Sequence, residues 1–267
     1  MPYKGRVGQF FHQLKKLPAQ LADSSLEHKQ MVWLAGVQRS GTNMMMDALD
    51  RHSLTRVFHE ADQRLFQDYN LKNNKEIARH FNRTIAKIVV AKALLDADRI
   101  RELMNYFEDA KVIWPVRNFA DVINSHMVRW PGFREWVDEI VAGGHKHNWR
   151  GRNISPNVRD VLNELYFPEC SVADCKALFW LIRNQIFFDE KLDTSPNALA
   201  LRYEDFVQNP KQACEAMADF VGLKYEASMI DGIHSRSISK SPPPEMNEKI
   251  KTACLDMEER LISVCSI

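Results

Sequence analysis

Between Met31 and Asp50 the chain reads MVWLAG-VQRSGTN-MMMDALD: an apolar run, a short polar loop bracketed by glycines, and a helix opening at Thr42. A strand that turns straight into a helix aims backbone N–H groups and the positive helix end at one point, where an anion such as phosphate is held. Gly36 and Gly41 have the spacing of the G-x-x-x-x-G-K-[ST] nucleotide loop, but the next residues are Thr42 and Asn43. The lysine that reaches β- and γ-phosphates is missing, and an amide stands in place of the hydroxyl that binds Mg²⁺. What remains suits a single phosphate, with fixed charge from Arg39.

Such a loop belongs to an α/β domain, and the rest of the chain repeats its alternation. Met31–Gly36, Arg56–His59, Lys87–Ala91, Lys111–Val116 and Ala198–Arg202 are predicted strands, several apolar throughout, as strands covered on both faces are. Between them run helical stripes, one through Ile100, Leu103, Met104 and Phe107, another through Ala213, Ala216, Met217, Phe220 and Val221. The predicted fold is a three-layer α/β domain over 31–267 with a central, mainly parallel sheet, preceded by a helical extension over 1–30. In that extension Phe10, Phe11, Leu14 and Leu17 share one face of an amphipathic helix over Val7–Leu21, expected to pack on the domain rather than on a membrane. Two stretches lack periodicity, 142–157 and 234–244, the second closed by three prolines that bar helix and central strand.

Composition narrows the function. The 36 Lys and Arg against 35 Asp and Glu leave a net charge of +1, which argues against a nucleic-acid partner held by bulk charge but leaves room for a local basic pocket. With 45% apolar and 27% charged residues, disorder is excluded. No run approaches the ~18 apolar residues of a membrane span, and the N-terminus lacks the apolar core of a secretory signal. Five scattered cysteines argue against a disulfide framework and for a cytoplasmic location.

A second segment, Lys111–Trp130 (KVIWPVRNFADVINSHMVRW), is a strand ending at Arg117 followed by a helix carrying Ser125. Ligands of open α/β sheets bind at the carboxyl ends of parallel strands, where the Arg117 guanidinium can take a phosphate bidentately and Ser125 can add a hydroxyl bond. With the first loop, this segment resembles the sulfotransferase family, whose donor is 3′-phosphoadenosine 5′-phosphosulfate. Arg39-Ser40-Gly41-Thr42-Asn43 is similar to that family's 5′-phosphosulfate loop, K/R-S-G-T/S-x. The Arg117–Ser125 stretch is similar to its 3′-phosphate signature R-D-P-x-D-x-x-x-S, with Asn118 for Asp and Phe119 for Pro. By the same resemblance Tyr203 approaches the adenine. Arg236, Ser237 and Lys240 stand where the 3′-phosphate pocket is completed, with the contacting residue left open. Read on their own, Arg202, Glu204 and Asp205 cap the helical turn that follows. The resemblance also implies adenosine 3′,5′-bisphosphate as product, no metal in the transfer, and a hydroxyl acceptor whose class stays open, as does the oligomeric state.

In-line transfer at sulfur needs a base, cations near the developing charge, and alignment. Arg39 and the helix start at Thr42 supply charge at the bridging oxygen. Lys92, after the run Ile88–Ala91, either faces the sulfonate, as the resemblance implies, or reaches water. Family members place a glutamate base just after the second strand, or a histidine elsewhere. Here His59 and Glu60 are adjacent, sent to opposite faces if the strand persists, and position favours Glu60, with Asp62 more distant. His145, His147, Trp149, Arg150 and Arg152 read as a solvated basic loop, with an acceptor rim as the alternative. The rival functions are a P-loop kinase or hydrolase, disfavoured by Thr42 and Asn43, and a degenerate nucleotide- or partner-binding protein of the same fold, disfavoured by the Arg39, Arg117 and Ser125 set.

Overall fold

In a computed structural model, which describes residues 5–22, 28–132, 134–143, 149–235 and 238–266, the predicted apolar runs form one parallel sheet. In chain order the strands are β1 (Gln30–Leu34), β2 (Thr55–Phe58), β3 (Phe66–Gln67), β4 (Asn70–Leu71), β5 (Ile88–Lys92), β6 (Lys111–Val116) and β7 (Ala198–Arg202). The sheet order is β2-β5-β1-β6-β7, while β3 and β4 form a separate hairpin. The helices are α1 (Gly5–Ala22), α2 (Thr42–Arg51), α3 (Asn74–Arg83), α4 (Ile100–Tyr106), α5 (Phe119–Arg129), α6 (Arg134–Val141), α7 (Pro156–Leu165), α8 (Val172–Asp189), α9 (Tyr203–Gln208), α10 (Pro210–Phe220) and α11 (Glu248–Ser263).

Alternation along each strand builds three layers. Met31 and Trp33 of β1 join a core with Val122 and Ile123 of α5 and Phe179 and Trp180 of α8. Val32 and Leu34 face the other way, onto Met45, Met46 and Leu49 of α2 and Met217 of α10. Both faces of β1 are covered, so its residues from Met31 to Leu34 are all apolar and buried. From β1 the chain leaves towards β2 and β5; from β6 it leaves the opposite way, to β7. Adjacent strands whose connections diverge open a crevice at their carboxyl ends. The glycine loop after β1 and Arg117 after β6 both sit there.

Three features differ from the expectations. Helix α1 packs on the domain, as expected, but by its polar side. His12 Nε2 donates to the Asp50 carbonyl at 2.8 Å, Lys16 Nζ to Asp50 Oδ1 at 3.3 Å and the Thr55 carbonyl at 3.1 Å, and Gln20 Nε2 to the Thr55 carbonyl at 3.1 Å. Burial opposes ionisation of Asp50, yet His12 and Lys16 outweigh it and hold its carboxyl below the usual range. Second, the described part of 142–157 is not a solvated loop. Arg152 binds Asp98 and Asp96 at 2.7 and 3.1 Å, and Arg150 stacks 3.6 Å from the ring centre of Trp136. Third, Glu204 accepts from the backbone N–H of Asn118 at 3.1 Å and so ties the ends of β6 and β7 together, rather than capping its own helix. All five cysteines are free thiols.

Candidate active site

The loop after β1 is shaped by left-handed backbone at Arg39 (φ 71°) and Gly41 (φ 84°). No side chain caps the start of α2, so its first N–H groups are left for an external anion. A Cβ at Gly41 would lie 2.1 Å from the Tyr203 ring, which is buried directly beneath. Tyr203 thus supports the loop from below, and the guanidinium of Arg117 stands 4.5 Å over the same ring. Ser40 and Thr42 are buried, whereas Asn43 is exposed.

The two sequence motifs expected to hold phosphates meet. Arg39 Nε donates to Ser125 Oγ at 2.8 Å across 86 residues of sequence, and Arg117 Nη1 donates to the Arg39 carbonyl at 2.8 Å. Arg117 is buried and paired with Asp121 at 3.5 Å, one helical turn along. Burial, then the like charges of Arg117 and Arg129, push the Arg39 guanidinium below its ordinary value. A cluster of cations that repel one another is stabilised by an anion between them.

Beside this crevice Lys92 bridges two elements. Its Nζ donates to Asn43 Oδ1 at 2.9 Å and to Glu60 Oε2 at 2.8 Å. The lysine does not reach into water; it is buried. Strand β2 ends at Phe58, and the two candidate bases part there: Glu60 turns to Lys92, whereas His59 turns to Asp47 of α2, 3.9 Å away. Burial, only partly offset by Asp47 and Asp50, pushes the His59 imidazole below its ordinary value. Glu60 also lines a cleft of about 400 Å³ shared with Gln63, Phe66, Gln67, Tyr69 and Lys72. Asp62 is instead held by Arg64 Nε at 2.8 Å.

The loop carrying Lys240 docks on α5: the Ser239 N–H donates to Asp121 Oδ2 at 3.0 Å and Asn124 Nδ2 to the Pro242 carbonyl at 2.9 Å. Lys240 is exposed beside them. Arg236, Ser237, His145 and His147 lie outside the described residues. Sequence reasoning gave Asp121 and His126 no role of their own, and it read Glu204 as a helix cap rather than as the tie to Asn118. Asp121 was within reach, since its spacing from Arg117 is that of an i,i+4 ion pair. His126 Nε2 donates to the Gln38 carbonyl of the loop at 3.0 Å, and burial pushes its imidazole down to about 3. No local pattern in the sequence announces that contact.

A family model described as "Sulfotransferase domain" matches residues 29–253. Among curated proteins none matches the chain by sequence. Among solved structures, the sulfotransferase domain of the Synechococcus PCC 7002 olefin synthase is 12% identical, with a TM-score of 0.53 over 90% of this chain and 98% of that one. A sulfotransferase domain from the curacin biosynthetic pathway is 17% identical, with a TM-score of 0.52 over 88% and 96%. A sulfotransferase from Alicyclobacillus acidocaldarius is 15% identical, with a TM-score of 0.51 over 87% and 92%. At such identities the structures show a shared fold.

Proposed function

This chain belongs to the sulfotransferase domain family, and from that premise we propose that it moves a sulfonate from 3′-phosphoadenosine 5′-phosphosulfate to a hydroxyl acceptor. The observation that carries this reading is the Arg39–Ser125 bond of 2.8 Å, because it joins the 5′- and 3′-phosphate motifs into one cationic crevice. The residues suit the donor. The uncapped start of α2 and the repelling guanidinium groups of Arg39 and Arg117 call for an anion. A one-phosphate loop without the P-loop lysine suits a 5′-phosphosulfate better than a triphosphate.

The donor supplies an electrophilic sulfur and a phosphate leaving group. Arg39 and the α2 N-terminus would hold the phosphate, and Arg117 and Ser125 the 3′-phosphate. Glu60 would take the acceptor proton. Its Oε2 is fixed by Lys92, and its Oε1 makes no hydrogen bond among the described residues. As the new oxygen–sulfur bond forms and the old one breaks, Lys92 and Arg39 offset the negative charge passed to the phosphate. The five free thiols suit a cytoplasmic location.

Thermal unfolding with adenosine 3′,5′-bisphosphate, compared with ATP–Mg²⁺, tests the donor. At 100 times its dissociation constant a ligand adds about 2.7 kcal/mol, so the bisphosphate should raise the midpoint without metal and by more than ATP–Mg²⁺ does. Equal or greater protection by ATP–Mg²⁺ would return the protein to the kinase reading.

A further inference from the structure

Helix α1 is amphipathic and docks inside out. His12, Lys16 and Gln20 recur every fourth residue on one stripe, and that polar stripe is the buried one. The opposite side leaves Phe11 58%, Leu14 44% and Leu21 68% exposed, and Ile85, at the far wall of the adjoining cleft, 48% exposed. Large apolar side chains gathered on one exposed face mark a contact surface. The cleft, about 380 Å³, runs between α1, the edge strand β2 and the end of α3. Its apolar lining is Leu14, Leu17, Phe58 and Ile85, its charged lining is Arg56, Arg64 and Arg83, and no carboxylate lines it. Arg64 is paired with Asp62, but Arg56, stacked 5.2 Å over Phe58, donates no hydrogen bond among the described residues.

From this juxtaposition we propose that the α1 face seats on an anionic membrane surface. Phe11, Leu14, Leu21 and Ile85 enter the interface, and the arginines of the cleft take lipid phosphate. Charge selects this occupant. A second copy meeting the first across a two-fold axis would bring the same patch against itself, and the cleft lining offers no carboxylate to answer its arginines. A bilayer that offers both apolar depth and negative headgroups complements both halves of the face. In a chain with a net charge of +1, three arginines without an acid in the cleft are a local concentration, not a reflection of the whole. No helix among the described residues is long and apolar enough to cross a membrane, so the contact is peripheral. The proposal is independent of the donor reading, since α1 and its cleft share no residue with the phosphate motifs.

Co-sedimentation of the full chain with phosphatidylcholine vesicles, with and without phosphatidylglycerol, tests it. Binding is expected to the anionic vesicles, weakening as salt is raised. Arg56→Ala and Arg83→Ala should each cost about fivefold in partitioning, and the double variant Leu14→Gln/Leu21→Gln at least about tenfold, with the unfolding midpoint unchanged. If that double variant fails to fold, Leu14→Trp keeps the face apolar, and its added fluorescence should shift to the blue on anionic vesicles. Absence of binding by folded protein, undiminished binding by Leu14→Gln/Leu21→Gln, an unmoved Leu14→Trp emission, or a dimer in sedimentation velocity that the double variant abolishes would each overturn it.

Discussion

Arg117 touches the Arg39 carbonyl, Asp121 and the face of Tyr203, and on the proposed reading it also holds a 3′-phosphate. Arg117→Ala should therefore weaken adenosine 3′,5′-bisphosphate by about 2–3 kcal/mol, the worth of a charged bidentate contact, while adenosine 5′-monophosphate binding stays nearly unchanged. Titration calorimetry with both ligands separates the roles; equal losses would mean that the arginine only supports the loop. Glu60 makes a different kind of claim. Glu60→Gln keeps the size of the side chain and a group for Lys92 to bond, but removes the base. Bisphosphate affinity should hold while turnover falls about 10²–10⁴-fold. With an acceptor in hand, near-normal turnover in Glu60→Gln beside a dead but folded His59→Ala would move the role to His59, which faces Asp47 instead of Lys92.

Among the elements, the unit of β1, loop and α2 tolerates least. Gly41 combines a left-handed backbone with a ring 2.1 Å from where a Cβ would stand. Gly41→Ala should cost about 2–4 kcal/mol through backbone strain plus overpacking. Urea denaturation reads that cost directly, and bisphosphate protection should be lost with it; an unchanged midpoint would contradict the packing of Tyr203 beneath the loop. The elements also differ in how openly the sequence declares them. The five strands of the main sheet were predicted within a residue or two, several of them because two covered faces make near-continuous apolar runs, whereas the short hairpin β3–β4 was not predicted. Helix α8 gave no stripe, because it is buried on nearly every side and has no polar face to set against an apolar one. Helix α1 gave a clear stripe that misleads. Its buried side is chosen by the acceptors that Asp50 and Thr55 offer, which no local pattern contains.

For the whole molecule, His126 and His59 shape how stability responds to acid. His126 is held neutral, its imidazole pushed to about 3 by burial, and His59 is shifted the same way. A lowered histidine binds fewer protons when folded than unfolded, so its contribution is intact above the unfolded value near 6.5 and is lost as the pH falls below it. His126 alone should remove on the order of 2 kcal/mol between pH 6.5 and 5. The lowered carboxyls of Asp50 and Asp62 act in the same sense but only in stronger acid. The unfolding free energy read by urea denaturation should fall by that amount from pH 7 to pH 5 in the native protein and by less in His126→Gln; identical losses would place the acid sensitivity elsewhere.

Local chemistry was readable from the chain alone. A glycine loop between an apolar run and a helix start directs its N–H groups within about ten residues, so the proposed anion site, the missing P-loop lysine and the arginine at the end of β6 were all visible in one dimension. Folding decided which of these residues meet. Arg39 reaches Ser125 across 86 positions, Lys92 takes Glu60 from a neighbouring strand end, and Ser239 closes on Asp121. Each of those contacts depends on strand order and on which side of each helix the layers bury. That choice is made by the packing of the whole core, where hundreds of weak contacts must be satisfied together, and no stretch of sequence holds it by itself.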